Sequence, residues 1–228
     1  MRAAQINDYW RTLFKRKMTH EPIQMLLSKI IGFEETTEID FKKGVCAICG
    51  SNGSGKTTLL TALSCCLGHM PKTLPTRLSN FEHITTCNIH EAETIYSNTD
   101  SAPPLPIPVE FINVPEDIID LLFVLEGESL DDIKEDGTDP LDFSNHLCRV
   151  ASYVIGKKYE SIKAYEIENE GFPYIEVKTG DLTYNSSEMG LGELSVLYIQ
   201  WRLERALPGA IILLEEPENY LSQNRSVA

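Results

Sequence analysis

Two chemistries overlap between Cys46 and Thr58, where the chain reads CAICGSNGSGKTT. Cys46 and Cys49 form a CxxC pair, a spacing used for metal sites and redox couples. Gly50 to Thr57 match GxxxxGK[ST], a spacing that wraps phosphate. Gly50, Gly53 and Gly55 leave backbone N–H groups free to turn towards an anion, with Ser51, Asn52 and Ser54 between them. Lys56 brings a cation within reach of terminal phosphates. Thr57, followed by Thr58, offers a hydroxyl to Mg²⁺. Such a loop needs a strand before it and a helix after it. VCAIC and TTLLTAL supply that order, and the helix N-terminus adds its dipole to the same anion.

The cysteines are expected to play a smaller part. Residues three apart on a strand point to opposite faces, so Cys46 and Cys49 do not pinch one metal. No second Cys or His pair completes a tetrahedral site. The pair is expected to pack as small apolar residues on a buried strand. Cys65 and Cys66 on the following helix take the same reading.

Two further stretches carry charge where a nucleotide needs it. IILLEEPENYL, residues 211–221, is an apolar run ending in two glutamates. In open α/β sheets ligands sit at the carboxyl ends of strands. Glu215 is therefore a candidate ligand for Mg²⁺, directly or through water. Glu216 is a candidate catalytic residue that orients or deprotonates the attacking water. SSEMGLGELSVLYIQWRLERA, residues 186–206, opens a helix with Gly190, Gly192 and Glu193. A Gly-rich helix start is another anion-facing element, though a weak signal alone.

The elements that must position these residues are read from periodicity. Residues 5–17 read as a short helix, with Arg11, Lys15, Arg16 and Lys17 as the one local basic patch and Tyr9, Trp10 and Phe14 as aromatic neighbours. MLLSKIIGF, EIDF and VCAIC read as strands, the last two joined by a hairpin turn at Lys42-Lys43-Gly44. A helix runs from about Lys56 to Leu67 and ends at Gly68. Residues 69–105 are polar and read as a long loop. PIPVEFINV reads as a strand, and Pro115 sits where a helix N1 proline would. Residues 127–140 are acidic and turn-rich. An EF-hand needs oxygen ligands at fixed positions and a final Glu, but from Asp132 the third position is Lys134 and the twelfth is Phe143, so a solvated loop is expected. Residues 141–156 read as a helix, YESIKAYEIEN and FPYIEVKT as a strand hairpin, 192–206 as an amphipathic helix, and Ala210–Leu214 as a buried parallel strand.

The order of the motifs carries a resemblance. A P-loop, then a GxGE-type helix start, then an apolar strand with Glu-Glu-Pro-Glu is similar to the ATP-binding-cassette (ABC) ATPases. Within them it resembles the non-transporter branch: RecF, the structural-maintenance-of-chromosomes (SMC) proteins, and the OLD and PtuA-type ATPases of bacterial defence. EEPENYL resembles the EPExxL phrase of the OLD-like group, and EIDFKKGVCAICGSNGSGKTTLLTAL its N-terminal strands and P-loop. The resemblance covers residues 25–68 and 172–222. It implies ATP and Mg²⁺ as cofactors and head-to-tail dimerisation, with Gly190, Gly192 and Glu193 facing the ATP of a second copy. It also implies a nuclease or other effector partner, with nucleic acid in DNA repair or phage defence. The chain departs from the pattern in lacking Ser-Gly-Gly at the signature, any Gln between Thr57 and Gly190, and any His after His146.

The resulting expectation is an α/β P-loop NTPase resembling an ABC ATPase head. It has a mixed sheet, an antiparallel N-terminal edge and a helical insert over residues 69–170. Residues 1–228 form a single domain, expected to continue past Ala228. Net charge is -14, yet residues 1–58 hold nine Lys and Arg against six Asp and Glu. A general nucleic-acid coat is excluded, because phosphate contacts need clustered cations. No run of 18 apolar residues marks a membrane span. The N-terminus has no secretory h-region, and six cysteines without one suggest free thiols in the cytoplasm. Two functions remain open: a slow regulatory ATPase, or a nucleotide-binding scaffold or inhibitor with little turnover. A P-loop kinase is disfavoured, since it has no need of EEPE with an upstream GxGE. A transporter cassette is disfavoured by the incomplete signature.

Overall fold

The computed structural model describes residues 20–33, 36–41, 45–69, 74–89, 92–98, 108–135, 139–167 and 171–221. The helix expected over 5–17, its basic patch and its aromatic residues lie outside them, as does the turn at 42–44. The chain divides into two compact units. One comprises Met1–Phe111 with Leu207–Leu213, the other Ile112–Ala206 with Leu214–Ala228.

The first unit is built on an antiparallel sheet of β1 (His20–Ser28), β2 (Thr36–Asp40), β3 (Glu82–Ile89) and β4 (Ala92–Ser97). The strand order is β2-β1-β3-β4. Alternation decides which face is covered. Met25 and Leu27 on β1 are buried, and so are His83, Thr85 and Cys87 on β3, where Met25 opposes Thr85 and Leu27 opposes His83. Between them Ile84 is exposed. Helix α1 (Lys56–Cys66) joins the same core through Ala62, Leu63, Cys65 and Cys66. Removing a leucine such as Leu63 from water contributes roughly 1.5–3 kcal/mol. Burial also pushes the Cys65 thiol up to about 11 and raises Cys66 further. These two cysteines are core residues, as expected. Strand β5 (Val109–Asn113) pairs with β10 (Ile211–Glu215), where Ile211 N donates to Pro108 O at 2.8 Å.

Residues 69–105, expected as a loop, hold β3 and β4. On β3 the polar Glu82, Thr86 and Asn88 alternate with buried His83, Thr85 and Cys87, and a half-buried strand reads as loop when its inward residues are Thr and His.

The second unit joins helices to another antiparallel sheet. Helix α2 (Val114–Leu125) starts at the expected proline and buries Val114, Ile118, Leu121 and Leu125 at helical spacing. Residues 127–140 are not all loop. They contain α3 (Leu130–Glu135), whose Asp132 N–H is capped by Ser129 Oγ at 3.2 Å and whose Ile133 is buried. Strands β6 (Leu141–Asp142), β7 (Ser161–Glu166), β8 (Pro173–Thr179) and β9 (Leu182–Asn185) form a meander, with α4 (Asn145–Ile155) between β6 and β7. Helix α5 (Leu191–Arg205) is more enclosed than an amphipathic helix. Its residues 193–198 are all buried, because α2, α4 and β8 each pack on it. The expected α/β class and antiparallel N-terminal strands hold. The strands are distributed over three sheets instead of one continuous mixed sheet.

One acid in this unit is under stress. Asp117 on α2 lies 3.5 Å from Arg202 Nη1 on α5. Burial pushes its pKa up to about 6, against the pull of Arg202 and Tyr198. A carboxyl that binds its proton more tightly when folded contributes stability below its unfolded pKa near 3.8 and loses it as pH rises through about 6. Asp117→Asn resembles the protonated form. It should stay close to wild type in urea midpoint at pH 4 and exceed it at pH 8, by up to ~3 kcal/mol. Equal midpoint shifts at both pH values would refute this.

Candidate functional site

The phosphate-loop residues lie in the first unit. Residues 45–50 form no strand, and Cys46 and Cys49 are exposed. Val45 is 77% exposed. The expected buried strand with an apolar cysteine floor is therefore corrected. The strand expected to form its hairpin, β2, pairs with β1 instead, Met25 opposite Ile39. Residues 45–50 thus have neither a ladder nor an apolar cover. Among the described residues no cluster of three His, Cys, Asp or Glu is arranged to hold a metal ion.

The helix after the loop forms as expected. Gly55 is its N-cap and takes φ of +91°, in the left-handed region. A Cβ there would also meet two carbons of the Phe33 ring at 2.8 Å. Phe33 in turn packs on the core of the unit. The loop closes on itself through Ser54 N donating to Ser51 O at 3.1 Å. Lys56 Nζ donates to the carbonyls of Gly50 and Ser51, each at 3.0 Å. The ammonium is thus held over the loop it would help to fill. Thr57 is exposed in the first turn of α1, and its carbonyl accepts from Thr61 Oγ1 at 2.9 Å.

The acidic pair and the Gly-rich helix start belong to the second unit. Glu215 ends β10 with 6% of its surface exposed, whereas Glu216 is exposed. The alternation of the strand separates the two carboxylates. Glu216 has φ of +46° and Tyr220 of +66°, both unusual for side-chain-bearing residues. The loop between them is tied by Asn219 N to Glu216 O at 2.9 Å and Leu221 N to Glu218 O at 3.0 Å. Asn219 Nδ2 also donates to Glu216 Oε2 at 3.3 Å.

At the start of α5, Gly190 and Leu191 are exposed, and Glu193 is not. Its carboxylate accepts from Lys157 Nζ at 2.5 Å, from Tyr159 OH at 2.5 Å and from Tyr184 OH. Burial works to raise the Glu193 pKa. The hydrogen bonds from Lys157, Tyr159 and Tyr184 outweigh it and hold the group below the usual carboxylate range. Burial, with the Glu193 carboxylate, raises the hydroxyls of Tyr159 and Tyr184. The side chain of Glu193, expected to face a second copy's phosphate, faces this cage. Gly192 meets the loop after β10, since a Cβ on it would lie 2.6 Å from Tyr220 O. Phe33, Lys157, Tyr159, Tyr184 and Tyr220 carried no signal of spacing in the sequence. Their partners are 9 to 36 residues away or join through space alone.

Two outcomes follow from this geometry. Gly55→Ala should lose at least ~1–2 kcal/mol from the left-handed backbone alone, and more from the Phe33 clash. Adding Phe33→Leu should recover only the steric part, as read in urea unfolding. A full recovery would remove the backbone argument. Glu193 has a lowered folded pKa, so its ionised form contributes stability above its ordinary value of 4.5 that is lost as pH falls through the folded one. Glu193→Gln should therefore be less stable than wild type at pH 7, with the gap closing as pH falls below 4.5. A gap that stays constant would show that the charge is not what the cage holds.

A family model described as an AAA domain matches residues 24–189, a span that takes in the phosphate loop and α1. No curated protein matches the chain. No described helix is long and apolar enough to cross a membrane.

Proposed function

Because the chain belongs to the AAA domain family, whose members are generally ATPases, we propose that it binds ATP at Gly50–Thr58 and hydrolyses it slowly to gate a larger assembly. The observation that carries this reading is the loop itself. Gly55 turns the backbone in the left-handed region directly into α1, and Lys56 holds its ammonium over the loop. Backbone N–H groups and the helix N-terminus then converge on one anion.

In this reading the γ-phosphate displaces the loop carbonyls from Lys56. Thr57 and Glu215 would hold Mg²⁺ when it is bound. A hydroxyl and a carboxylate are hard oxygen donors of the kind that ion takes, and bound Mg²⁺ would neutralise phosphate charge. Exposed Glu216 orients a water and takes its proton as the water oxygen attacks the γ-phosphorus. The bond to the bridging oxygen breaks, and ADP and phosphate leave. Such catalysis is mostly positioning and charge neutralisation. A head-to-tail dimer would bring the exposed Gly190–Leu191 end of α5 to a second copy's phosphate through backbone N–H groups. The assembly we propose includes a nuclease or other effector, with nucleic acid, in DNA repair or phage defence. Analogy with the OLD-like and PtuA-type ATPases supports that part.

A second reading keeps the nucleotide and drops the turnover. It is favoured by the absence of any Gln between Thr57 and Gly190. Nucleotide would then hold a scaffold or an inhibited effector together.

Lys56→Ala should weaken ATP binding by about 30–150-fold, the value of a charge-assisted contact of ~2–3 kcal/mol. Glu216→Gln should bind ATP as wild type does and hydrolyse it about 100-fold or more slowly. It should also accumulate as an ATP-bound dimer. Fluorescent-nucleotide titration, phosphate release and light scattering read these. Wild-type turnover in Glu216→Gln would remove Glu216 from catalysis. ATP binding by a wild-type chain that releases no phosphate, alone or with candidate effectors, would select the scaffold.

A further inference from the structure

We propose that Gly192 and Glu193 are positioning residues for Glu216, seating the loop after β10, and are not contacts to phosphate. This rests on the reading of Glu216 as the residue that handles the attacking water.

Three features of the second unit lead there. The loop of residues 216–221 holds Glu216 and Tyr220 with positive φ. Each left-handed residue with a side chain costs about 1–2 kcal/mol and persists only where its surroundings over-determine it. The two backbone hydrogen bonds inside the loop, and the one from Asn219 Nδ2 to Glu216 Oε2, are local and do not anchor it to anything else. Gly192 supplies the anchor. A Cβ on it would lie 2.6 Å from the Tyr220 carbonyl oxygen and 3.5 Å from its carbon. These are backbone atoms, so they cannot swing aside. Only a residue without a Cβ lets the loop come this close.

The seat must itself be fixed. The next residue, Glu193, fixes it. Its carboxylate is buried and takes donors from Lys157 at the end of α4, Tyr159 before β7 and Tyr184 on β9. A carboxylate with three donors from two segments, the α4–β7 connection and β9, has one orientation, and it pins the first turn of α5. The line of constraint runs from the cage to the helix start, to Tyr220, and through the three residues between it and Glu216. Glu193 never approaches substrate in this arrangement. It acts through Gly192 and the loop.

The test needs two readouts, one independent of turnover. Hydrogen exchange at the amides of Asn219 and Leu221 reports the loop directly. In Gly192→Ala it should rise by about tenfold or more, as a local opening becomes easier. In phosphate release, kcat should fall by about 10–100-fold, with KM for ATP within about twofold. Unchanged exchange at both amides, in a variant with native circular dichroism, would overturn the proposal. A raised KM with unchanged kcat would overturn it too, by making Gly192 a nucleotide contact. If Gly192→Ala does not fold, Lys157→Met and Tyr184→Phe loosen the cage from a distance. Each should raise exchange at the same two amides, and silence in both would sink the idea. A wild-type chain that releases no phosphate refutes the ATPase reading, while the exchange arm still decides whether the loop is seated on Gly192.

Discussion

A buried carboxylate organises the second unit. Moving such a charge out of water costs several kcal/mol unless good partners replace the solvent. Glu193 finds them in Lys157, Tyr159 and Tyr184. The requirement is mutual: Tyr159 has its hydroxyl buried against the same group, and Lys157 lies over the ring of Tyr184 at 5.2 Å. The end of α4, the approach to β7, the strand β9 and the first turn of α5 are therefore set by one charge. The buried run of α5 that follows, from Leu194 to Tyr198, continues from a fixed start.

Close approach at a glycine is the second constraint, and each unit shows it. Gly55 has Phe33 beside it, and Gly192 has the Tyr220 carbonyl. In both, the missing side chain is what admits the neighbour. In the first unit the neighbour is an aromatic ring rooted in the core, so the phosphate loop begins its helix against a firm floor. In the second it is backbone of a loop whose residues carry unusual dihedral angles. The chemistry read from the motifs thus stands on packing that the motifs do not contain.

Much of the fold was legible. Helix α1 follows from its cap and apolar run, α2 from its proline and helical spacing, and the β7–β8 hairpin from alternating apolar residues. The loop from Gly50 to Thr58 was legible because its chemistry requires fixed types at fixed spacing. Other elements were not. β3 and β4 carry Thr, His and Asn at positions where a strand signal needs apolar residues, and their inward face is legible only beside β1 and α1. VCAIC has the composition of a buried strand. It is exposed because it joins no ladder among the described residues, even though β2 is an edge strand, and pairing is a choice that composition does not record.

The sequence by itself determined which residues are equipped for chemistry: the phosphate loop, the acidic pair after an apolar strand and the Gly-rich helix start. Those depend on residue type and short spacing, which the chain carries in order. Only the tertiary structure decided which way they face. Glu193 turns inward because Lys157 and Tyr159, 36 and 34 residues away, join Tyr184 at its carboxylate. Glu215 is buried and Glu216 exposed because a strand ends between them. Cys46 and Cys49 are exposed because residues 45–50 join no ladder among the described residues. Burial and orientation are set by what arrives from elsewhere in the chain, and no local pattern encodes an arrival.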